Sequence, residues 1–189
     1  MKNLIVILSF IIFIPLASSA ENALSIEPLY GIERSQRLYP KPARFTTRTF
    51  LGVRGVYGTS LLAGELELSQ SNNNEAFPED NEKVEYSIQR AMVGVRSYPL
   101  TSQYFGAFFR AGVRAQKSTR KIESPTGTEE QEDPLTIDPY AGTGVTVAFG
   151  RVFALSAGAT LIYNRNAPSS EQYDTQYTFS FTIRAGNVY

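Results

Sequence analysis

Cysteine and histidine are both absent from this 189-residue chain. Without cysteine, an exported domain has no disulfides to compensate for a thin core, so its stability must come from elsewhere. Without histidine the chain lacks the commonest metal ligand and general base, and a serine has no imidazole beside it to take its proton. No catalytic, cofactor or metal site is expected. An excess of one charge is missing too: 18 Lys plus Arg stand against 18 Asp plus Glu, which gives no reason to expect a nucleic-acid partner. Beyond the first twenty residues no apolar run reaches the length of a spanning helix, so any membrane crossing would have to be made by strands.

The opening residues, MKNLIVILSFIIFIPLASSA, are the exception. Lys2 precedes an apolar run from Leu4 to Leu16, interrupted by Ser9, and small residues follow at Ser18 and Ala20. That is the layout of a secretory signal peptide with cleavage after Ala20; the run is short for an anchor that spans a membrane. The mature chain, Glu21 to Tyr189, has the length of one domain and is one charge unit acidic once Lys2 is removed. It carries no repeat, low-complexity tract or linker that would mark a second domain.

Period-2 alternation fills the rest. Eight segments carry it: Leu24 to Glu33, Phe45 to Tyr57, Leu62 to Ser69, Val84 to Tyr98, Phe105 to Arg114, Leu135 to Phe149, Phe153 to Tyr163 and Tyr173 to Tyr189. In the fifth, Phe105, Ala107, Phe109, Ala111 and Val113 oppose Gly106, Phe108, Arg110, Gly112 and Arg114. Pro28 falls on an apolar face, which suits an edge or a bulge. The fourth segment slips phase: Val84, Tyr86 and Ile88 are followed by Ala91, Val93 and Val95. Either a bulge near Arg90 restores the facing, or the upper half stands above a membrane and the lower half sets the register.

The connections alternate in length. Long polar ones lie at Ser35 to Ala43, Gln70 to Lys83, Gln116 to Pro134 and Asn164 to Gln172, and short ones at Gly58 to Leu61, Pro99 to Ser102 and Gly150 to Arg151. In an up-and-down meander all long loops then share one end, and the short turns and both termini share the other. The third long stretch turns from basic (Lys117, Arg120, Lys121) to acidic (Glu129, Glu130, Glu132, Asp133), and a hairpin around Pro125-Thr126-Gly127 would extend the strands beyond a membrane. The stretch at Gln70 to Lys83 is polar enough to be mobile. Its Glu79, Asp80 and Glu82 could draw calcium but lack the fixed spacing and glycine of a calcium loop.

Eight meandering antiparallel strands close most naturally into a barrel, because closure removes both unpaired edges. The polar faces decide which kind. Charges of both signs, Glu27 and Glu33 among them, crowd among many glycines, which suits a narrow interior where ions pair across the lumen, with the apolar faces turned to lipid. The expected lumen network comprises Arg48, Arg54, Glu65, Glu67, Arg96, Arg110, Arg114, Asp138, Asp174 and Arg184. Tyr57, Tyr98, Phe105, Phe149, Phe153 and Tyr189 would form an aromatic girdle at the short-turn end, and Phe45, Tyr86, Tyr163 and Tyr173 one at the loop end.

With this architecture and the terminal stretch FSFTIRAGNVY, the chain resembles the small eight-stranded outer-membrane barrels of Gram-negative bacteria, the group that includes OmpX, the opacity proteins and the membrane half of OmpA. The resemblance implies an all-β, eight-stranded antiparallel up-and-down transmembrane barrel in the outer membrane. It also implies a final strand read by the barrel-assembly machinery, here through Phe179, Phe181, Ile183 and Tyr189, with Asn187 standing where the family usually has an apolar residue. The enzymes among such barrels depend on a histidine that is lacking here, so no enzyme is expected. Contacts with outer-membrane lipid and lipopolysaccharide follow, and a monomer is expected. The leading expectation is a structural or surface-interaction protein whose loops face an extracellular ligand; the alternative is a channel for a small solute or hydrophobic compound, as in the OmpW-like barrels.

Overall fold

A computed structural model of the chain describes residues 23–37, 44–59, 61–77, 82–124, 127–165 and 172–185. The strands are β1 (Ala23–Arg37), β2 (Arg44–Gly58), β3 (Ala63–Phe77), β4 (Glu82–Thr101), β5 (Phe105–Ser124), β6 (Gly127–Glu132), β7 (Thr136–Phe149), β8 (Phe153–Tyr163) and β9 (Tyr173–Ala185). Every neighbouring pair is antiparallel, and pairing of β1 with β9 and of β4 with β5 closes the sheet on itself. β6 and β7 lie in tandem along one edge of β5, so the nine strands fill eight positions of the wall. The leader expected at Met1 to Ala20, and Tyr189 at the other end, lie outside the described residues.

The barrel is inside out relative to a soluble one. Leu66, Leu68, Phe109, Leu155 and Phe179 face outward and are about half exposed, while Glu27, Glu33, Arg54, Glu67, Arg96 and Arg114 are at most 1% exposed. A continuous apolar exterior wrapped around a charged interior is the arrangement that hydrocarbon demands. Among the described residues no helix is long and apolar enough to cross a membrane.

Glycines make the interior fit. A Cβ at Gly31 would collide with the ring of Phe50, at Gly94 or Gly112 with the Tyr140 hydroxyl, and at Gly144 with Phe108. Each gap on one strand therefore receives an aromatic from another, and volume is conserved across the lumen. Ala154, Ser156, Gly158, Thr160, Thr178, Ser180 and Thr182 make the inner face of β8 and β9 shallow, and the long side chains of β1 to β5 fill that space. Hydroxyls there bond one another: Thr146 and Ser156 lie 2.9 Å apart, and Ser156 and Thr182 3.4 Å apart.

Proline positions follow from the missing N–H. The β1–β9 ladder skips Glu27 and Pro28 and resumes in the same register at Leu29, and Pro139 lies just past the last β7–β8 pair, Tyr140 and Ile162. The register of β4 against β5 shifts only between Ser97 and Leu100, around Pro99.

Several expectations are corrected. No bulge exists at Arg90, since β4 pairs without interruption from Phe77↔Glu82 to Ala63↔Arg96. Val84, Tyr86, Ile88, Arg90, Met92 and Arg96 all point inward, and the apparent slip arises because the upper half of β4 turns apolar Val84, Tyr86 and Ile88 inward and polar Lys83, Glu85, Ser87 and Gln89 outward, which leaves the alternative in which the lower half alone shows the register. Tyr86 and Tyr98 are thereby removed from the girdles. Tyr86 is buried beneath Arg48, whose guanidinium carbon lies 4.9 Å from the ring centroid, and Tyr98 tilts against Phe108 at 6.0 Å. Tyr57, Phe105, Phe149, Phe153 and Tyr173 do face outward. The Gln70 to Lys83 stretch is mostly strand, not loop, because Gln70 to Phe77 pair with Glu82 to Gln89.

Candidate functional site: an ion-paired lumen beneath a projecting sheet

The lower lumen holds a closed cycle of charges. Arg54 Nη1 lies 2.9 Å from Glu27 Oε2, Glu27 Oε1 2.9 Å from Arg96 Nη1, and Arg96 Nε 3.0 Å from Glu65 Oε2. From there Glu65 Oε1 meets Arg110 Nε at 2.8 Å, Arg110 Nη2 meets Glu67 Oε2 at 3.1 Å, and Glu67 Oε2 returns to Arg54 Nη2 at 2.7 Å. Three carboxylates and three guanidinia alternate around it, and all are buried. Tyr140 donates its hydroxyl to Glu65 Oε1 at 2.7 Å. Aromatic faces cover the guanidinia, with Phe108 4.5 Å from Arg96 and Tyr140 4.9 Å from Arg110.

Register explains the assembly. Arg54 is the direct cross-strand partner of both Glu27 on β1 and Glu67 on β3, and Arg96 and Arg110 face each other across β4 and β5. Side chains two apart on a strand share a face, so Glu65 and Glu67 both enter the lumen and each finds two guanidinia. Cross-strand pairing thus supplies part of the cycle, and the reach of Arg96 and Arg110 across the lumen supplies the rest.

The upper lumen holds an open chain instead. Arg90 bonds Glu33 through Nη2, and Glu33 Oε1 lies 2.9 Å from Arg114 Nη1. Arg114 Nη2 then faces two acids, Asp138 Oδ2 at 3.2 Å and Asp174 Oδ2 at 3.4 Å. Gln116 accepts from Arg90 Nε at 3.1 Å, and Phe50 lies 5.5 Å beneath the Arg90 guanidinium. Together with inward Val84, Ile88 and Met92, this layer fills the loop half of the lumen.

Of the residues expected in the network, Arg54, Glu65, Glu67, Arg96 and Arg110 come together below, and Arg114, Asp138 and Asp174 above. Arg48 sits at the top over Tyr86, and Arg184, on the same inner face near the short turns, joins neither cluster. Glu27 and Glu33, which stand among the charges expected on the polar faces, complete the clusters together with Arg90 and Tyr140, which do not. Glu27 and Glu33 lie six residues apart, and Arg90 six from Arg96; an even spacing along one strand was the signal that put them inside. The outward Phe179, Phe181 and Ile183 on β9 are 40–57% exposed.

Above the barrel the wall becomes a sheet of its own. β4 and β5 have 20 residues each, roughly twice what a crossing strand needs. They stay paired to Lys83↔Glu123, while β7, β8 and β9 stop at 14, 11 and 13 residues. After Ser124 the chain returns as β6, which among the described residues pairs only with β5 and is exposed throughout. Asp133 N donates to Ser118 O at 2.9 Å, so residues 127, 129, 131 and 133 turn their backbone groups to β5. Thr128, Glu130 and Glu132 direct theirs outward along an edge that no other described strand pairs.

Charges on this sheet pair locally: Lys117 with Glu132 at 2.8 Å, Arg120 with Asp133 at 2.6 Å, and Lys121 with Glu123 at 2.8 Å. The hydrogen bond between the last two raises the Lys121 pKa and lowers that of Glu123. Among the described residues no group of three or more acidic side chains is placed to hold a metal ion, and Glu79 and Asp80 fall outside them.

No family model matches the chain, and neither does any curated relative. Solved structures do. Ail, the attachment invasion locus protein of Yersinia pestis, in complex with the heparin analogue sucrose octasulfate, aligns with a TM-score of 0.58 at 10% identity, over 88% of this chain and 99% of its own. The outer membrane protein OprG of Pseudomonas aeruginosa aligns at 0.57 and 10% identity, over 89% and 97% of the two chains. Neisserial surface protein A aligns at 0.53 and 14% identity, over 88% and 97%. At such identities the likeness is one of fold: a closed, up-and-down antiparallel barrel with eight wall positions.

Proposed function

We propose that this chain, which has the fold of the small eight-stranded outer-membrane barrels, is an integral protein of the bacterial outer membrane that acts as a surface-interaction protein rather than an enzyme. Its lumen is a packed, ion-paired post, and its working surface is the sheet formed above it by the tops of β3, β4 and β5 with β6. The apolar exterior and charged interior support the membrane reading. Assembly as a monomer through the outward Phe179, Phe181 and Ile183 and the terminal Tyr189, and contact with lipopolysaccharide around the wall, belong to the same reading.

The observation that carries the surface role is the outer edge of β6, which no other described strand pairs. A barrel exists to leave no edge unpaired, yet this one raises a strand beyond its own wall and leaves Thr128, Glu130 and Glu132 with outward N–H and C=O groups. Such an edge accepts a strand from another protein. Ail was solved with a polyanion; here the projecting charges alternate and pair with one another, which favours a protein segment over a polyanion.

A second reading, a lateral path for a hydrophobic compound, rests on the wall between β2 and β3. Their ladder ends at Leu51↔Gln70, although β2 continues to Arg44 and β3 to Phe77. Against it, the Ser71 hydroxyl donates to Thr49 O at 2.7 Å across the fork, and Phe50 fills the space behind it.

The test replaces Lys121 to Glu130 by a short Gly-Ser turn and scores adhesion of bacteria that display each form to surfaces coated with extracellular-matrix protein. Adhesion should fall several-fold while the barrel still runs at a different gel position boiled and unboiled. Undiminished adhesion contradicts the surface role, and identical boiled and unboiled positions contradict the membrane reading.

A further inference from the structure

We infer that the outer wall carries a specific site for a phosphorylated lipid, seated in a shallow groove of about 640 Å³ that crosses β2 to β5. The inference rests on the membrane reading above and adds a defined lipid to it.

Two adjacent cross-strand rows form the groove. The upper row is Leu51, Gln70, Gln89 and Lys117, and the lower is Val53, Leu68, Ala91 and Ala115. Ala91 and Ala115 face each other directly, so the floor sinks where the neighbouring positions carry Leu68 on one side and Ile137 on the other. Both ends of the groove coincide with breaks in the wall. One is the fork where the β2–β3 ladder stops at Leu51; the other is the gap between β6 and β7, where Leu135 stands 63% exposed.

The chemistry of the two rows selects an amphiphile. The lower row is wholly apolar and the upper row turns polar at Gln70, so the boundary of the hydrocarbon runs between them. An acyl chain would lie over the two alanines between Leu51 and Leu135. The headgroup would meet the amides of Gln70 and Gln89 and the ammonium of Lys117. Lys117 is paired with Glu132, but both side chains are about half exposed, and an exposed pair of this kind yields readily to a competing anion. A phosphate is the headgroup anion that matches one ammonium with neutral amide donors beside it. On the opposite wall the outward side chains Leu155, Leu161, Phe179 and Phe181 project instead.

The chain has no tryptophan, so a single introduced indole reports on one place. Leu135→Trp protein is reconstituted into phosphatidylcholine nanodiscs, brominated phosphatidylglycerol is titrated in, and Leu161→Trp on the far wall serves as the reference. Quenching at 135 should saturate, with a half-point about fivefold lower in mole fraction than at 161, the factor expected for one lysine at an anionic surface. Adding Lys117→Gln should remove that preference, and Ala91→Phe with Ala115→Phe should fill the floor and abolish saturation. Equal quenching at the two positions overturns the inference while leaving the membrane reading intact. Absence of quenching by any lipid overturns the membrane reading itself. Competition by free inorganic phosphate would reduce the site to an anion site, and a cross-linked dimer through 135 would assign the groove to a second copy; either outcome also overturns the inference.

Discussion

The closed cycle in the lower lumen and the open chain above it draw on the same side-chain types and differ in wiring. In the cycle every carboxylate is held by two guanidinia and every guanidinium by two carboxylates, so any loss halves the pairing of two neighbours at once and leaves one net charge unbalanced in a buried place. In the chain, Asp138 and Asp174 both address the same nitrogen of Arg114, so one can be lost while the other remains. Burial of a charge is costly unless it is paired and hydrogen-bonded, and the cost of removing one member follows from what is left behind. The two layers therefore make unequal contributions despite near-identical burial.

The most damaging change should be Glu67→Ala, which takes one of two carboxylates from both Arg54 and Arg110 and leaves the cycle with an unbalanced positive charge. A loss of about 3 to 5 kcal/mol in urea unfolding from lipid vesicles is expected. A loss below that of the Asp138 variant would mean that the wiring does not matter. Next comes a test of which side is inside. The lumen tolerates five buried arginines, but Phe181→Arg places one against lipid and should cost about 2 to 4 kcal/mol and block insertion. Normal outer-membrane yield of that variant would mean that the facing is inverted.

Asp138→Asn should be far milder, about 1 kcal/mol or less, since Asp174 stays on Arg114 Nη2 and the amide can still accept a hydrogen bond. A cost equal to that of Glu67→Ala would erase the distinction between the layers. The smallest effect belongs to the projecting sheet. Lys121→Ala removes an exposed ion pair and should leave the melting temperature unchanged. The Glu123 pKa is lowered, so that pair persists at neutral pH and is lost as acid is added; no matching step should appear in the melting temperature.

Much of this was legible from alternation alone. The facing of β1, β2, β5 and β9, the closure, and the entry of Arg54, Glu65, Glu67, Arg96, Arg110 and Arg114 into one lumen follow from period 2 and loop order. The wiring was not legible, because it depends on which guanidinium reaches across the barrel, and no spacing along a strand encodes that distance. Tyr86 and Tyr98 misled for a related reason: an aromatic satisfies a lipid interface and a lumen crowded with guanidinia equally well, and only register tells the two apart. The length of β3 to β5 was hidden by polar composition, since a strand that rises into water has no reason to alternate. The Asn72, Asn73 and Asn74 run pairs with Ser87, Tyr86 and Glu85 even so.

The central claim is that the cycle and chain together make the barrel a closed post, with its function on the outside. Conductance of the purified protein in a planar lipid bilayer tests this most directly. The wild-type barrel should show no sustained current steps across the voltage range the bilayer withstands, whereas Arg96→Ala combined with Arg110→Ala, which opens the cycle at two places, should admit ions if it folds. Steady unitary conductance from the wild-type protein would contradict the account and give the function to the lumen instead.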